Sequence, residues 1–371
     1  MSHWPQTRDD VYALPLEDID VSQPELFQND TIGWYFERLR AEAPVHYCRE
    51  SRFGPYWSVT RFDDILAIDR DHARFSSAAH NGGIQIVDFP PGQERTNFIN
   101  MDPPKHDEQR GVVSPVLAPR NLASMRAGIQ ANVEDILDNL PLNETIDWVD
   151  QVSIELTTRM LATLFDFPMA ERRKLTWWSE VAAMDLKSGG AITTEEQRLA
   201  ELGDCLSTFR AMLAERAAQP KKADLVSMLA HSSMIDMSDQ EFLSTLILLI
   251  IGGNDTTRNS ISGGLLALIE APDQFARLRA RPELVSSLVP EIIRWQTPLT
   301  LMRRTTTAEV EIGDTVLPAG AKVIMWYLSG NRDSRVIANA DEFIVDRKNA
   351  RHHLSFGFGI HRCLGTVRVS A

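Results

Sequence analysis

One stretch limits what this chain can fold into more than any other: SDQEFLSTLILLIIGGNDTTRNSISGGLLALIEA, residues 238–271. Ser238 with Glu241 three residues later reads as a capping box that starts a helix, and Pro272 closes the run. At 1.5 Å per residue, about 33 residues span roughly 50 Å, more than most single domains are thick. Such a helix has to pass through the middle of one large body. The expectation is therefore one domain over residues 1–371, mainly α with small β-sheets, built around a long central helix.

Other segments support this without adding a second domain. Helical patterns dominate from about residue 105. In 150–166 the apolar positions Val152, Leu156, Met160 and Leu164 mark one helix face. Strand-like pieces are few: Tyr56–Thr60, Glu309–Ile312 and Lys322–Trp326. Trp177 and Trp178, followed by KSGGAITT at 187–194, read as a mobile helix–loop–helix or as an ordinary surface loop. A net charge of −13 argues against a general nucleic-acid binder and against a protein held on an anionic membrane. No run reaches the length of a spanning helix, and the N-terminus carries no secretory pattern. Cys48, Cys205 and Cys363 are too widely spaced for a disulfide framework. A cytoplasmic location is the simplest expectation.

Four constellations carry possible chemistry. Inside the long helix lies GGNDTTR, 252–258. Each mid-helix glycine costs about 1 kcal/mol relative to alanine, so something comes close to the backbone there or the helix loosens. Leu248, Gly252 and Thr256 share one face, which offers an apolar wall, a gap and a hydroxyl, with Asp255 beside it. A plain helix crossing with a polar kink fits the same residues. Glu291 and Arg294, in LVPEIIRWQTP, meet at i and i+3 among apolar neighbours, and Arg347 is a candidate third member of a buried network. His106 and Arg110 stand four apart after Pro103–Pro104; together they suit an anionic group, or simply a solvated helix face.

The fourth is HHLSFGFGIHRCLG, 352–365. Cys363 can be a small buried hydrophobe. A zinc site using His352, His353, His361 and Cys363 lacks any C-x-x-C or second cysteine cluster. A third reading accounts for more residues. Gly357, Gly359 and Gly365 free the backbone to curl under a sulfur, main-chain N–H groups then point at a thiolate, and Phe356 packs beside it. A thiolate held in this way is an axial ligand for haem iron.

With FGFGIHRCLG, Glu291–Arg294 and Gly252–Thr256 in this order, the chain resembles the bacterial cytochrome P-450 monooxygenases over about residues 15–365. NFINMDPPKHDEQR, DWVDQVSIELTTRMLATLFDFP and LLIIGGNDTTRN are most similar to the alkane and fatty-acid terminal hydroxylases. The resemblance implies the P-450 fold, haem b (iron protoporphyrin IX) and insertion of one oxygen atom of O2 into an unactivated C–H bond. It implies that Cys363 ligates the iron and that Phe356 and Gly365 shape its loop. His106, Arg110, Arg304 and His361 would bind the propionates; Arg304 is preferred to Arg303 because it stands seven residues before Glu311. Asp255 and Thr256 would relay protons, and Glu291, Arg294 and Arg347 would support the cysteine loop. Leu248, Ile251, Gly252, Thr300, Leu301 and Met302 would face an apolar small-molecule substrate: an alkane or fatty acid, or alternatively a terpene or sterol side chain. Electrons would come from a ferredoxin and an NAD(P)H-dependent ferredoxin reductase, docking on a face with Lys105, Arg351 and Arg362.

The family pattern continues past the cysteine with a long helix and terminal strands, whereas TVRVSA ends this chain. The expectation is a fragment lacking those elements. A haem- or ligand-binding protein without turnover is accordingly the second functional reading, although a passive binder has no need of a proton relay.

Overall fold

The computed structural model describes residues 5, 7–90, 92, 94–184, 186 and 190–368. Its internal contacts divide the chain into two compact units. One comprises residues up to Glu94, Ile99–Asp102 and Ala271–Thr366; the other comprises Arg95–Phe98 and Pro103–Glu270.

The first unit holds every strand among the described residues: β1 (Val45–Cys48), β2 (Tyr56–Val59), β3 (Phe75–Ser76), β4 (Met302–Thr306), β5 (Val310–Ile312), β6 (Thr315–Leu317) and β7 (Lys322–Met325). Five form one sheet in the order β1-β2-β7-β4-β3, in which only β2 and β7 run parallel; β5 and β6 form a separate hairpin. Strands at Val45–Cys48, Phe75–Ser76, Met302–Thr306 and Thr315–Leu317 add to the three expected. Three of these four are too short or too polar to show a period-2 apolar pattern. The helix Phe62–Arg70 lays Phe62, Ile65 and Ile68 into a core with Val59, Val323, Met325 and Leu354. Leu354 is fully buried; it anchors the start of the cysteine segment in that core.

The second unit is helical. Its long helix runs Asp239–Glu270, 32 residues without a break, so the two glycines do not interrupt it. Only half of the expected capping box forms. Glu241 N–H donates to the Ser238 hydroxyl at 3.3 Å, while the Glu241 carboxylate pairs with Lys105 instead of turning back.

The 150–166 segment is helical in two parts, a π-helical stretch Val149–Ile154 and the α-helix Glu155–Phe165. Of the expected face only Val152 is buried. Thr157, Thr158, Leu161, Ala162 and Phe165 are buried, whereas Leu156, Met160 and Leu164 are half-buried. The wider π turn resets the register, and Thr157 is buried at little cost because it donates to Asn254 Oδ1 at 2.8 Å. Trp178 is fully buried against Phe167 and Phe209, and Trp177 donates to Glu201 at 2.7 Å. Both tryptophans are thus core or anchored residues. Of the loop expected to be mobile, residues 187–189 lie outside the described residues.

Candidate active site

The cysteine loop has little regular structure and is fixed by its main chain. Gly357 N–H donates to Leu354 O at 2.7 Å and Cys363 N–H to Phe356 O at 2.8 Å, which folds the loop back on itself. Gly357 and Gly359 take φ of 62° and 64°, the left-handed region that favours glycine. Gly365 N–H points at Cys363 Sγ at 3.3 Å. Main-chain N–H groups aimed at sulfur favour the thiolate. Cys363 is exposed, while Cys48 and Cys205 are buried, and burial pushes both of those thiols up to about 12. An accessible sulfur in a glycine cradle with a donor on it fits the axial site of a haem iron.

The neighbouring histidines do not share a centre. His353 is buried, its Nδ1 accepts Ser355 N–H at 3.2 Å, and burial, aided by Arg294, drives its pKa down to about 4. His352 packs on the Phe62 ring and His353 on the Phe356 ring. His361 is half-buried in the short turn Gly359–His361. Among the described residues, no group of three or more His, Cys, Asp or Glu side chains is placed to hold a metal ion.

Behind the loop stands a buried charge network. Glu291 Oε2 accepts from Arg294 Nε and Arg347 Nε, both at 2.8 Å, and Oε1 accepts from Arg294 Nη2 at 2.8 Å and Ile344 N–H at 2.9 Å. Glu291 and Arg294 are wholly buried and Arg347 nearly so. The guanidiniums spend their other donors on carbonyls: Arg294 on Asn331, Ala340 and Glu342, and Arg347 on Asn339 and Glu342. Asn331 then carries the network to the cysteine segment, since its side chain accepts Leu354 N–H at 2.7 Å and donates to Ser355 Oγ at 2.8 Å. Sequence reasoning missed Asn331.

Arg303 and Arg304, adjacent on β4, go to different partners. Arg303 pairs with Asp88 at 2.5 Å; Arg304 pairs with Asp69 at 2.8 Å. Asp69 also accepts Phe358 N–H at 2.9 Å, so it is Arg304 that is joined to the cysteine loop. Thr300, Leu301 and Met302, which precede them, are half-buried.

In the second unit, the glycine pair of the long helix splits its work. A Cβ on Gly253 would come within 2.8 Å of Leu161 Cδ2, whereas one on Gly252 meets nothing within 4 Å. Gly253 therefore lets a helix approach, and Gly252 borders open space. Thr256 Oγ1 donates to Gly252 O at 3.0 Å, one turn back. That bond draws the hydroxyl over the same gap. Leu248 and Ile251 beside it are half-buried. Asp255 pairs with Arg258 at 3.0 Å, and Arg258 also holds Glu180 at 2.9 Å. Burial raises the Asp255 pKa from its ordinary value, Arg258 opposes this, and Glu180 adds to it. On the helix Lys105–Val113, His106 is buried with Nδ1 2.7 Å from Asp107 Oδ1, and Arg110 is half-buried one turn on.

Residues 279–367 match the family model for cytochrome P450. Linalool 8-monooxygenase of Pseudomonas putida is 33% identical over 362 residues, covering 95% of this chain and 88% of that protein. Among solved structures, cytochrome P450-153 from Novosphingobium aromaticivorans superposes with a TM-score of 0.87 at 42% identity. CYP153D17 from Sphingomonas sp. PAMC 26605 does so at 0.86 and 45%. Each match covers 94% of this chain and 88% of the other.

Proposed function

Because the chain belongs to the cytochrome P450 family of monooxygenases, we propose that it inserts oxygen into an unactivated C–H bond of an apolar chain, at the terminal carbon of a medium-chain alkane or fatty acid. The observation that carries the chemistry is the Cys363 sulfur, accessible and 3.3 Å from Gly365 N–H in a loop that closes on Phe356. The substrate class rests on the resemblance to terminal hydroxylases and on the absence of charge at Leu248, Ile251, Gly252, Thr300, Leu301 and Met302. We take 1–371 as one haem-thiolate monooxygenase domain. No helix among the described residues is long and apolar enough to cross a membrane; we place the protein in the cytoplasm.

Haem, when bound, supplies the redox chemistry of O2. The protein's own residues then hold and move protons. Cys363 would hold the iron, and His106, Arg110, Arg304 and His361 would take the propionates, with Phe356 and Gly365 shaping the loop. Thr256 presents its hydroxyl over the open backbone at Gly252. Asp255, its pKa raised by burial, swings between Arg258 and the hydroxyl to resupply the proton. Electrons come singly from a ferredoxin and its NAD(P)H-dependent reductase. Lys105, expected on the docking face, pairs with Glu241; Arg351 and Arg362, expected there too, are exposed.

The relative that is named for linalool favours a second reading, a hydroxylase of terpenes or sterol side chains. Binding-induced spin shifts with octane, dodecanoate, linalool and a sterol distinguish the two; a shift only with linalool or sterol refutes the terminal-hydroxylase assignment. For the relay, Thr256→Ala and Asp255→Asn are expected to consume reductant without forming equivalent product. Unchanged coupling in both rejects these roles, and a parent chain that binds haem but forms no product with any of the four compounds supports the haem-binding reading without turnover.

A further inference from the structure

Asp69 is the carboxylate around which the cysteine loop is packed. It lies on the buried face of the helix Phe62–Arg70, together with Phe62, Ile65 and Ile68. One oxygen accepts Arg304 Nη2 at 2.8 Å; the other accepts the Tyr327 hydroxyl and Phe358 N–H, both at 2.9 Å. A Cβ on Gly357 would come within 3.2 Å of that second oxygen, and one on Gly359 within 2.1 Å of the Asp69 carbonyl. Asp69 is thus the nearest neighbour at both left-handed glycines. Burying a carboxylate is expensive unless several donors meet it. Here burial pushes the Asp69 pKa up, and Arg304, Phe358 N–H and Tyr327 pull it back. No part of the proton relay uses this group, and its partners lie on three separate elements: β4, the segment after β7 and the cysteine loop.

We propose that Asp69 is a positioning residue for the haem-thiolate centre: it ties the Cys363 loop to Arg304 and keeps a fixed negative charge against that loop, which lowers the reduction potential of the bound iron. This rests on reading Cys363 as the iron ligand and Arg304 as a propionate ligand. Net charge, hydrogen bonding and solvent exposure set such potentials. The sign of the effect separates a positioning role from simple damage. Removing a buried negative charge raises the potential, whereas a loosened loop that admits water lowers it.

The test uses the full chain loaded with haem, with Asp69→Asn and Tyr327→Phe. Asp69→Asn is expected to raise the reduction potential, read by spectroelectrochemistry, and to speed haem transfer to apomyoglobin at least tenfold. Tyr327→Phe keeps the charge and removes one donor, so it is expected to leave the potential in place and speed haem transfer about fivefold. A potential in Asp69→Asn equal to or below the parent's overturns the proposal. If Asp69→Asn does not fold, parent-like haem transfer in Tyr327→Phe overturns it instead. The underlying reading fails separately, without any Asp69 variant, if the parent shows no thiolate-type spectrum or if Arg304→Ala releases haem at the parent's rate.

Discussion

Replacing Glu291 by glutamine tests whether the buried charge network holds the cysteine side of the molecule together. Glutamine keeps the size of the side chain but removes the carboxylate that stands between two buried guanidiniums. It also turns one acceptor oxygen into an NH2 group that faces N–H donors. Four donors converge on Glu291, three of them from arginines. Breaking one side of a buried ion pair costs about 3–5 kcal/mol, a large part of the ~5–15 kcal/mol that stabilises a domain. At about 4 kcal/mol the folding equilibrium falls roughly a thousandfold, and with an m-value near ~4 kcal/mol/M the urea midpoint drops on the order of 1 M. Urea titration followed by circular dichroism reads this directly. Glu283→Gln is the control, because its pair with Arg281 is exposed on both sides and contributes little to stability. A Glu291→Gln midpoint that shifts no more than the control's refutes the reasoning.

Other positions give sharp expectations. Gly252→Ala meets no atom within 4 Å, so it should stabilise the helix by up to about 1 kcal/mol, seen as a higher melting temperature, while product per reductant consumed falls because the gap by Thr256 is filled. His353 is held neutral in the fold, with a pKa of about 4, and titrates near 6.5 when unfolded. The unfolded chain therefore binds the proton first, and stability is lost as pH falls from about 6.5 to 4, by roughly 3 kcal/mol in all. Urea midpoints measured across that range should decline in the parent and stay flatter in His353→Asn.

What could be read from the sequence was whatever has a local signature. The long helix has caps, periodicity and a closing proline, and its observed ends, Asp239 and Glu270, differ from the expectation by a residue. Glu291 and Arg294 were legible from i,i+3 spacing, and Arg347 from its type and setting. The glycines of FGFG read as backbone freedom, but what fills the space they leave was hidden. Asp69 lies nearly 290 residues away in sequence from the Phe358 N–H it holds. A signal did exist: in FDDILAIDR, Asp69 occupies a core position of an amphipathic helix, four residues after Ile65. A carboxylate there demands buried donors. Asn331 gave no such signal, because an asparagine in GNRD reads equally well as a turn residue. The short strands escaped notice because their partners are non-local, and β4 is unusually polar, MRRTT, although four of its five residues are buried.

The most direct test of the central claim is the absorption spectrum of the haem-loaded chain, reduced and bound to carbon monoxide. The account predicts the strongly red-shifted Soret band of thiolate-ligated haem, abolished in Cys363→Ser but retained when the buried Cys48 or Cys205 is replaced by serine. A band typical of a neutral ligand in the parent, or a red-shifted band that survives in Cys363→Ser, would contradict it.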